Sequence, residues 1–169
     1  MLSRRELLLT SGALLIGCGP AKLPATAPSS LLGKPMPKIR KRRTVTGARV
    51  GTAANQNKIT VVKFFAKYCE PCKRTLPAAE RLHRANRDSV LLIGVAEDEY
   101  RAQVEETIKL YGLSFPVIHD RGNVLIGRFR TAELPATFVA DASGRVRWVG
   151  GPKQSERDLH DAVAYLQAN

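Results

Sequence analysis

Two cysteines separated by two residues, Cys69-Glu70-Pro71-Cys72, carry the most evident chemistry in this sequence. They directly follow an apolar, β-branched and aromatic run, Ile59–Ala66, and open a stretch with helical patterning. A thiolate at a helix N-terminus is stabilised by unpaired backbone N–H groups and by the helix dipole, which lowers its pKa below the free value of about 8.5. Lys67 and Lys73 flank the pair and push the same way, while Glu70 pushes back. With two intervening residues the second sulfur lies one helical turn from the first, within disulfide reach. Cys69, at the exposed start, is expected to attack, and Cys72, further inside, to resolve the mixed disulfide. A zinc site needs four ligands; there is no second cysteine pair, and His83, His119 and His160 show no ligand spacing. An inert disulfide would close too small a loop to stabilise much. Redox chemistry is therefore expected, with no metal and no cofactor.

The elements that must hold this pair fit in one domain. The chain has 169 residues, three cysteines and a net charge of +12, enough for a single domain and a tail. The third cysteine belongs to the tail. Residues 1–17 have a basic start at Arg4 and Arg5 and an apolar run from Leu7 to Ile16 too short to span a bilayer, which reads as a signal peptide. Leu15-Ile16-Gly17-Cys18 resembles a bacterial lipobox, so Cys18 is expected to be lipidated and cleaved from the residues before it. Ser3-Arg4-Arg5-Glu6-Leu7-Leu8 resembles a twin-arginine export motif, and an ordinary secretory signal fits the same residues. Residues 18–32, rich in Pro, Ala and Ser, read as a lipidated tether, leaving 33–169 as the domain.

The charge is not spread evenly. Eleven basic and no acidic residues lie between Cys18 and Tyr68, whereas Cys69–Asn169 holds fourteen of each. The densest patch, Lys38, Arg40, Lys41, Arg42 and Arg43, suits anionic lipid head groups or an acidic partner on a membrane; a solvated basic edge strand accounts for it equally well. Nucleic acid is not expected as a partner of an exported lipoprotein.

Along the domain, the sequence predicts a buried strand over 59–66 and a helix over about 69–86 bent at Pro77. The continuous apolar run Val90–Ala96 reads as a central parallel strand. Asp98 is expected to cap a helix carrying Tyr100, Val104, Ile108 and Tyr111 on one face and ending at Gly112. A short strand over Phe115–His119 follows. Ala136–Ala140 and Arg145–Val149 read as two strands joined by a turn, with Val146 and Trp148 facing one way and Arg145 and Arg147 the other. Ser155 and Asp158 resemble a capping box before a closing helix with a Leu159, Val163, Leu166 stripe. The result is an α/β fold with a mixed central sheet flanked by helices.

Phe64-Phe65-Ala66-Lys67-Tyr68-Cys69-Glu70-Pro71-Cys72-Lys73 resembles the active-site strand and helix of the thioredoxin superfamily. Leu134-Pro135-Ala136-Thr137-Phe138-Val139-Ala140-Asp141 resembles the segment carrying that superfamily's cis-proline. The resemblance implies a thioredoxin-like fold in which Pro135 is cis beside the cysteines and the Leu134 backbone is presented to a substrate peptide. Tyr68, Glu70 and Pro71 would complete the active-site surroundings. An added helix and strand at about 98–119, with Gly33-Lys34-Pro35-Met36-Pro37, is similar to the TlpA/ResA-like branch of membrane-tethered thiol–disulfide oxidoreductases. Three positions depart from that pattern: Tyr68 stands where the family has Trp, Thr75 where ResA-like proteins have Glu, and Lys63 where a buried Asp or Asn is usual. Lys63 is expected to snorkel its amine to the surface.

The expected function is an exported, lipid-anchored oxidoreductase on the periplasmic side of a bacterial membrane, reducing protein disulfides through Cys69 and Cys72 as a monomer. A membrane thiol–electron donor would recharge the pair. Alternatives are an oxidase or isomerase, or a binding module or metallochaperone without turnover. Peroxide reduction would require a differently placed cysteine.

Overall fold

A five-stranded sheet forms the centre of the protein, in the spatial order β5-β4-β3-β6-β7. In this computed structural model residues 22–54 and 57–169 are described; the expected signal peptide, Cys18 and the first part of the tether lie outside them. The strands are β3 (Ile59–Phe65), β4 (Val90–Ala96), β5 (Val117–His119), β6 (Ala136–Ala140) and β7 (Val146–Gly150), preceded by a small hairpin of β1 (Arg42–Arg43) and β2 (Arg49–Val50). The helices are α1 (Glu70–Ala85), α2 (Arg101–Tyr111), α3 (Val124–Arg128) and α4 (Asp158–Ala168). β4 pairs in parallel with β3 and β5, and β6 pairs antiparallel with β3 and β7, so the sheet is mixed, as expected.

β3 is buried along its whole length, and its alternation feeds two cores. Ile59, Val61 and Phe65 join Leu76 and Ala79 of α1, Val104 of α2, and Leu159 and Val163 of α4. Val62 and Phe64 face the opposite cluster with Leu31, Ile39, Leu125, Phe129 and Phe138. There Phe64, Phe129 and Phe138 meet edge to face or tilted, with centroids 5.1–5.9 Å apart.

Both sheet edges are covered, which changes two expectations. The described part of the expected tether packs along β7: Ala27 N–H donates to Val149 O at 2.7 Å, Gly33 N–H to Val146 O at 2.8 Å, and Trp148 Nε1 to Ala25 O at 3.1 Å. Leu31 is buried and Leu23 packs against the core, so the domain begins before residue 33. The open edge of β7 supplies the reason, because its unpaired backbone groups need partners. At the other edge Val45 N–H donates to Val117 O, and Arg101 of α2 donates to Val45 O. The basic patch thus spans the first strand of a side hairpin and the segment leading into it, with Lys38, Arg40, Lys41 and Arg43 exposed and Arg42 half-buried, 3.9 Å from Asp120.

Three local expectations are also corrected. Val146 and Trp148 enter different cores, because a register shift between Val139 and Ala140 reverses the alternation. Tyr100, not Asp98, is the N-cap of α2, with its N–H bonded to Gln103 Oε1; Asp98 is buried and accepts the Lys67 N–H instead. α3 was not foreseen. Asp120 Oδ2 accepts the N–H groups of Leu125 and Ile126 at its start. The reciprocal Ser155–Asp158 bonds and the left-handed Gly112 (φ 58°) closing α2 are as expected.

Candidate active site

The site is built where β3 ends and α1 begins. Cys69 is the N-cap of α1, Glu70 opens the helix, and Pro71 occupies the first turn, where a missing N–H costs no intrahelical bond. Cys69 and Cys72 are joined as a disulfide. Both are largely covered, with 6% of Cys69 and 1% of Cys72 exposed, so the pair is less open than the expected exposed start. Cys69 nevertheless reaches an open groove of about 530 Å³ that Cys72 does not line.

That groove gathers most of the expected site. Tyr68, Cys69, Glu70 and Pro71 form one wall, and Glu133 and Leu134 form the other. The Leu134–Pro135 peptide is cis, as the resemblance implies. Pro135 itself is buried behind Leu134 and does not line the groove. A larger cavity of about 750 Å³, bordered by Asp98, Tyr100 and His119, shares Tyr68 and Glu97 with it. On a further side, Pro152 and Glu133 also border a cavity against Ala25–Pro28, so the N-terminal segment lies beside the groove.

The electrostatics differ from the sequence expectation. Lys67 is paired with Glu106 at 2.6 Å, and Lys73 with Glu70, so neither lysine offers an unpaired charge to the cysteines. The Glu70 bond holds the Lys73 ammonium above its usual range. What remains for a Cys69 thiolate is the start of α1 itself. The exposed Tyr68 donates its hydroxyl to Glu97 Oε1, and that bond, with burial and the nearby carboxylates, pushes its pKa up to about 12. Burial raises the Asp98 carboxyl despite the Lys67 N–H bond.

Beneath the pair sits the feature that the sequence reading placed wrongly. Lys63 is fully buried rather than snorkelled. Its Nζ donates to Thr75 Oγ1 at 3.0 Å and to Thr137 Oγ1 at 3.3 Å, and the Thr75 hydroxyl donates on to Cys72 O at 3.3 Å. No carboxylate pairs with the amine among the described residues, and burial lowers its pKa to about 7. The signal was legible: position 63 is the one polar residue in Val61-Val62-Lys63-Phe64-Phe65, within a run that reads as a buried strand. Glu97, which follows β4 and lines the groove, and Asp98, which borders the larger cavity, gave no comparable signal. Among the described residues no cluster of three potential metal ligands occurs, and His119 Nε2 contacts Asp98 O instead.

Comparison with known proteins places this arrangement. The sequence profile of the AhpC/TSA family matches residues 32–149. The chain belongs to the AhpC/TSA family. Within that thioredoxin-superfamily group it is similar to the thiol-disulfide oxidoreductase ResA of Bacillus subtilis, with 28% identity covering 72% of this chain and 68% of that protein. It is also similar to the sporulation thiol-disulfide oxidoreductase A of the same organism, with 27% identity over 93% of this chain and 96% of the relative. Against ResA of Bacillus cereus the match spans 58% of the relative's length. Among solved structures, a thiol:disulfide interchange protein of Chlorobium tepidum superposes with a TM-score of 0.69 at 27% identity, covering 84% of this chain and 99% of the other. A secreted Mycobacterium tuberculosis disulfide oxidoreductase gives a TM-score of 0.68 at 25% identity, covering 75% and 95%. The thioredoxin-like fold of this AhpC/TSA domain is thus shared with proteins named as thiol–disulfide oxidoreductases or interchange proteins.

Proposed function

We propose that the protein is an extracytoplasmic, lipid-anchored thiol–disulfide oxidoreductase that works mainly as a reductase of protein disulfides. The observation that carries the reading is the Cys69–Cys72 pair at the start of α1, with Cys69 alone reaching a groove whose far wall is Leu134 of a cis peptide. In the reduced state the Cys69 thiolate attacks a substrate disulfide, one substrate sulfur leaves as a thiol, and the other is held in a mixed disulfide. Cys72 then attacks Cys69 Sγ, releasing the second substrate thiol and closing the disulfide. A peptide lying along the groove would pair its backbone with Leu134, while Tyr68, Glu70 and Pro71 shape the opposite wall. A membrane thiol–electron donor would return two electrons to the pair.

The lipid anchor rests on Cys18 and the signal-like residues before it. An anchor there would join the domain on the side where Ala25–Pro28 borders the groove, which suits exchange with a membrane donor. No described helix is long and apolar enough to cross a membrane. The exposed basic residues Lys38, Arg40, Lys41 and Arg43 support contact with anionic head groups.

Thiol alkylation of intact cells tests the direction. A mostly reduced Cys69–Cys72 pair is expected; a mostly oxidised pair would mark an oxidant instead. Release of the protein from membranes by Cys18→Ala tests the anchor, and unchanged tight association would refute it.

A further inference from the structure

The cavity of about 750 Å³ beside the groove plays no part in the exchange steps above, yet one of its walls is an unsatisfied acid. Asp98 borders the cavity, is only 2% exposed, and accepts the Lys67 N–H on Oδ1 at 2.8 Å. Its Oδ2 is buried and takes no hydrogen bond among the described residues. A buried carboxylate oxygen without a donor is costly, and the same burial raises the Asp98 pKa. Glu97 and Glu99, its neighbours in sequence, border the same cavity, Glu97 half-buried and Glu99 exposed. The basic residues of the lining do not cancel these three acids. Arg101 is held by Glu105 at 2.7 Å and by Val45 O, and His119 Nε2 meets Asp98 O, which leaves Arg121 on the exposed rim. Tyr68 and Tyr100 add two open rings, 71% and 61% exposed.

We propose that this cavity is a subsite for a basic side chain of the substrate protein, an arginine close in sequence to the cysteine under attack. The inference rests on the oxidoreductase reading above and adds the substrate's chemistry to it. Tyr68 and Glu97 border both the cavity and the groove, and Tyr68 immediately precedes Cys69. A peptide lying in the groove therefore carries its neighbouring side chains to the cavity mouth. The bond from the Tyr68 hydroxyl to Glu97 Oε1 holds that ring between the two spaces. A guanidinium suits the lining on three counts: it offers planar, forked donors to carboxylates, it stacks on an aromatic face, and it is more weakly hydrated than an ammonium. It brings donors and positive charge to Asp98, whose second oxygen the fold leaves without a hydrogen bond, so binding offsets the cost of that burial. An anion would instead meet three carboxylates, and the start of α3 is already occupied by Asp120. No covalent step runs through the cavity; it selects which disulfide is presented to Cys69.

The test uses reduced full-chain protein and synthetic peptides whose single cysteine is capped by thionitrobenzoate, which is released as a coloured thiol on reduction. Arginine is placed roughly two to four residues from the cysteine on either side, at about 3.3 Å per residue of extended chain. Each peptide is compared with its citrulline counterpart, a neutral isostere, and with a glutamate one. At one position the arginine peptide should react about tenfold faster than the citrulline peptide in second-order rate constant. In Asp98→Asn, which keeps Oδ1 for the Lys67 N–H, that ratio should fall to about twofold or less. The ratio is taken within each protein, so a general loss of activity cancels. Glu99→Gln, at an exposed position, is the second variant should the first not fold, and it should lower the ratio about two- to threefold. No preference for arginine over citrulline at any position, a preference that survives both variants, or faster reaction of the glutamate peptide would overturn the proposal. If no peptide is reduced, the oxidoreductase reading fails, and binding decides the subsite separately. Arginine peptide with serine in place of cysteine should then shift the amide resonances of residues 97–99 more strongly than its citrulline counterpart; equal shifts would overturn the subsite as well.

Discussion

Replacing Lys63 by Met removes a buried amine and keeps a side chain of similar length. In the disulfide form folding moves the amine from 10.5 to about 7, because burial disfavours the charged form. The unfolded chain therefore binds the proton better than the folded one, and protonation works against folding. The sign follows: the penalty is fully present below about pH 7, shrinks as pH rises, and vanishes above about 10.5. At about 1.4 kcal/mol per pH unit, it amounts to roughly 5 kcal/mol at neutral pH and below. The substitution also forfeits the bonds to Thr75 and Thr137, worth about 1 kcal/mol each. Lys63→Met should thus stabilise the oxidised protein by about 2–3 kcal/mol at pH 7 and destabilise it by about 1–2 kcal/mol near pH 10.5. Guanidinium unfolding of the oxidised wild type and variant over about pH 6 to 10.5 measures this. A variant less stable at pH 7, or a stability difference that does not change with pH, would refute the reasoning.

Two further outcomes follow from other parts of the structure. Glu80 is buried, which alone would raise its pKa, but the bonds from Ser114 and Arg84 outweigh burial and lower it. Its contribution is present above the ordinary carboxyl range and is lost as pH falls through the lowered value. Glu80→Ala leaves the Ser114 N–H without its acceptor and should cost about 1–3 kcal/mol at pH 7 in chemical unfolding, shrinking in acid. Glu97→Gln removes the carboxylate that accepts the Tyr68 hydroxyl; ultraviolet titration should show that tyrosine moving down from about 12 towards its ordinary 10.0. Unfolding midpoints should barely change, since Tyr68 is exposed.

The sequence made the catalytic architecture legible because its signals are local. A buried strand running into Cys69-Glu70-Pro71-Cys72, and a proline opening another apolar strand, each specify their own backbone without reference to distant residues. What it concealed depends on tertiary pairing. The shift at Val139/Ala140 sends Val146 and Trp148 to opposite faces, and no pattern within β7 announces it. The Pro- and Ala-rich composition of the N-terminal segment suggests a free tether, yet the open edge of β7 takes it up. Lys67 and Lys73 look like activating charges until Glu106 and Glu70 are seen to neutralise them. Lys63 reads by residue type as a surface side chain, while its position among the covered β3 residues places it inside.

The central claim is that Cys69 attacks and Cys72 resolves, and covalent trapping with a disulfide-bearing protein substrate tests it most directly. Reduced Cys72→Ser protein should accumulate a stable mixed disulfide through Cys69, while Cys69→Ser should trap little and lose reductase activity. Equal trapping by the two variants, or full activity without Cys69, would contradict the account.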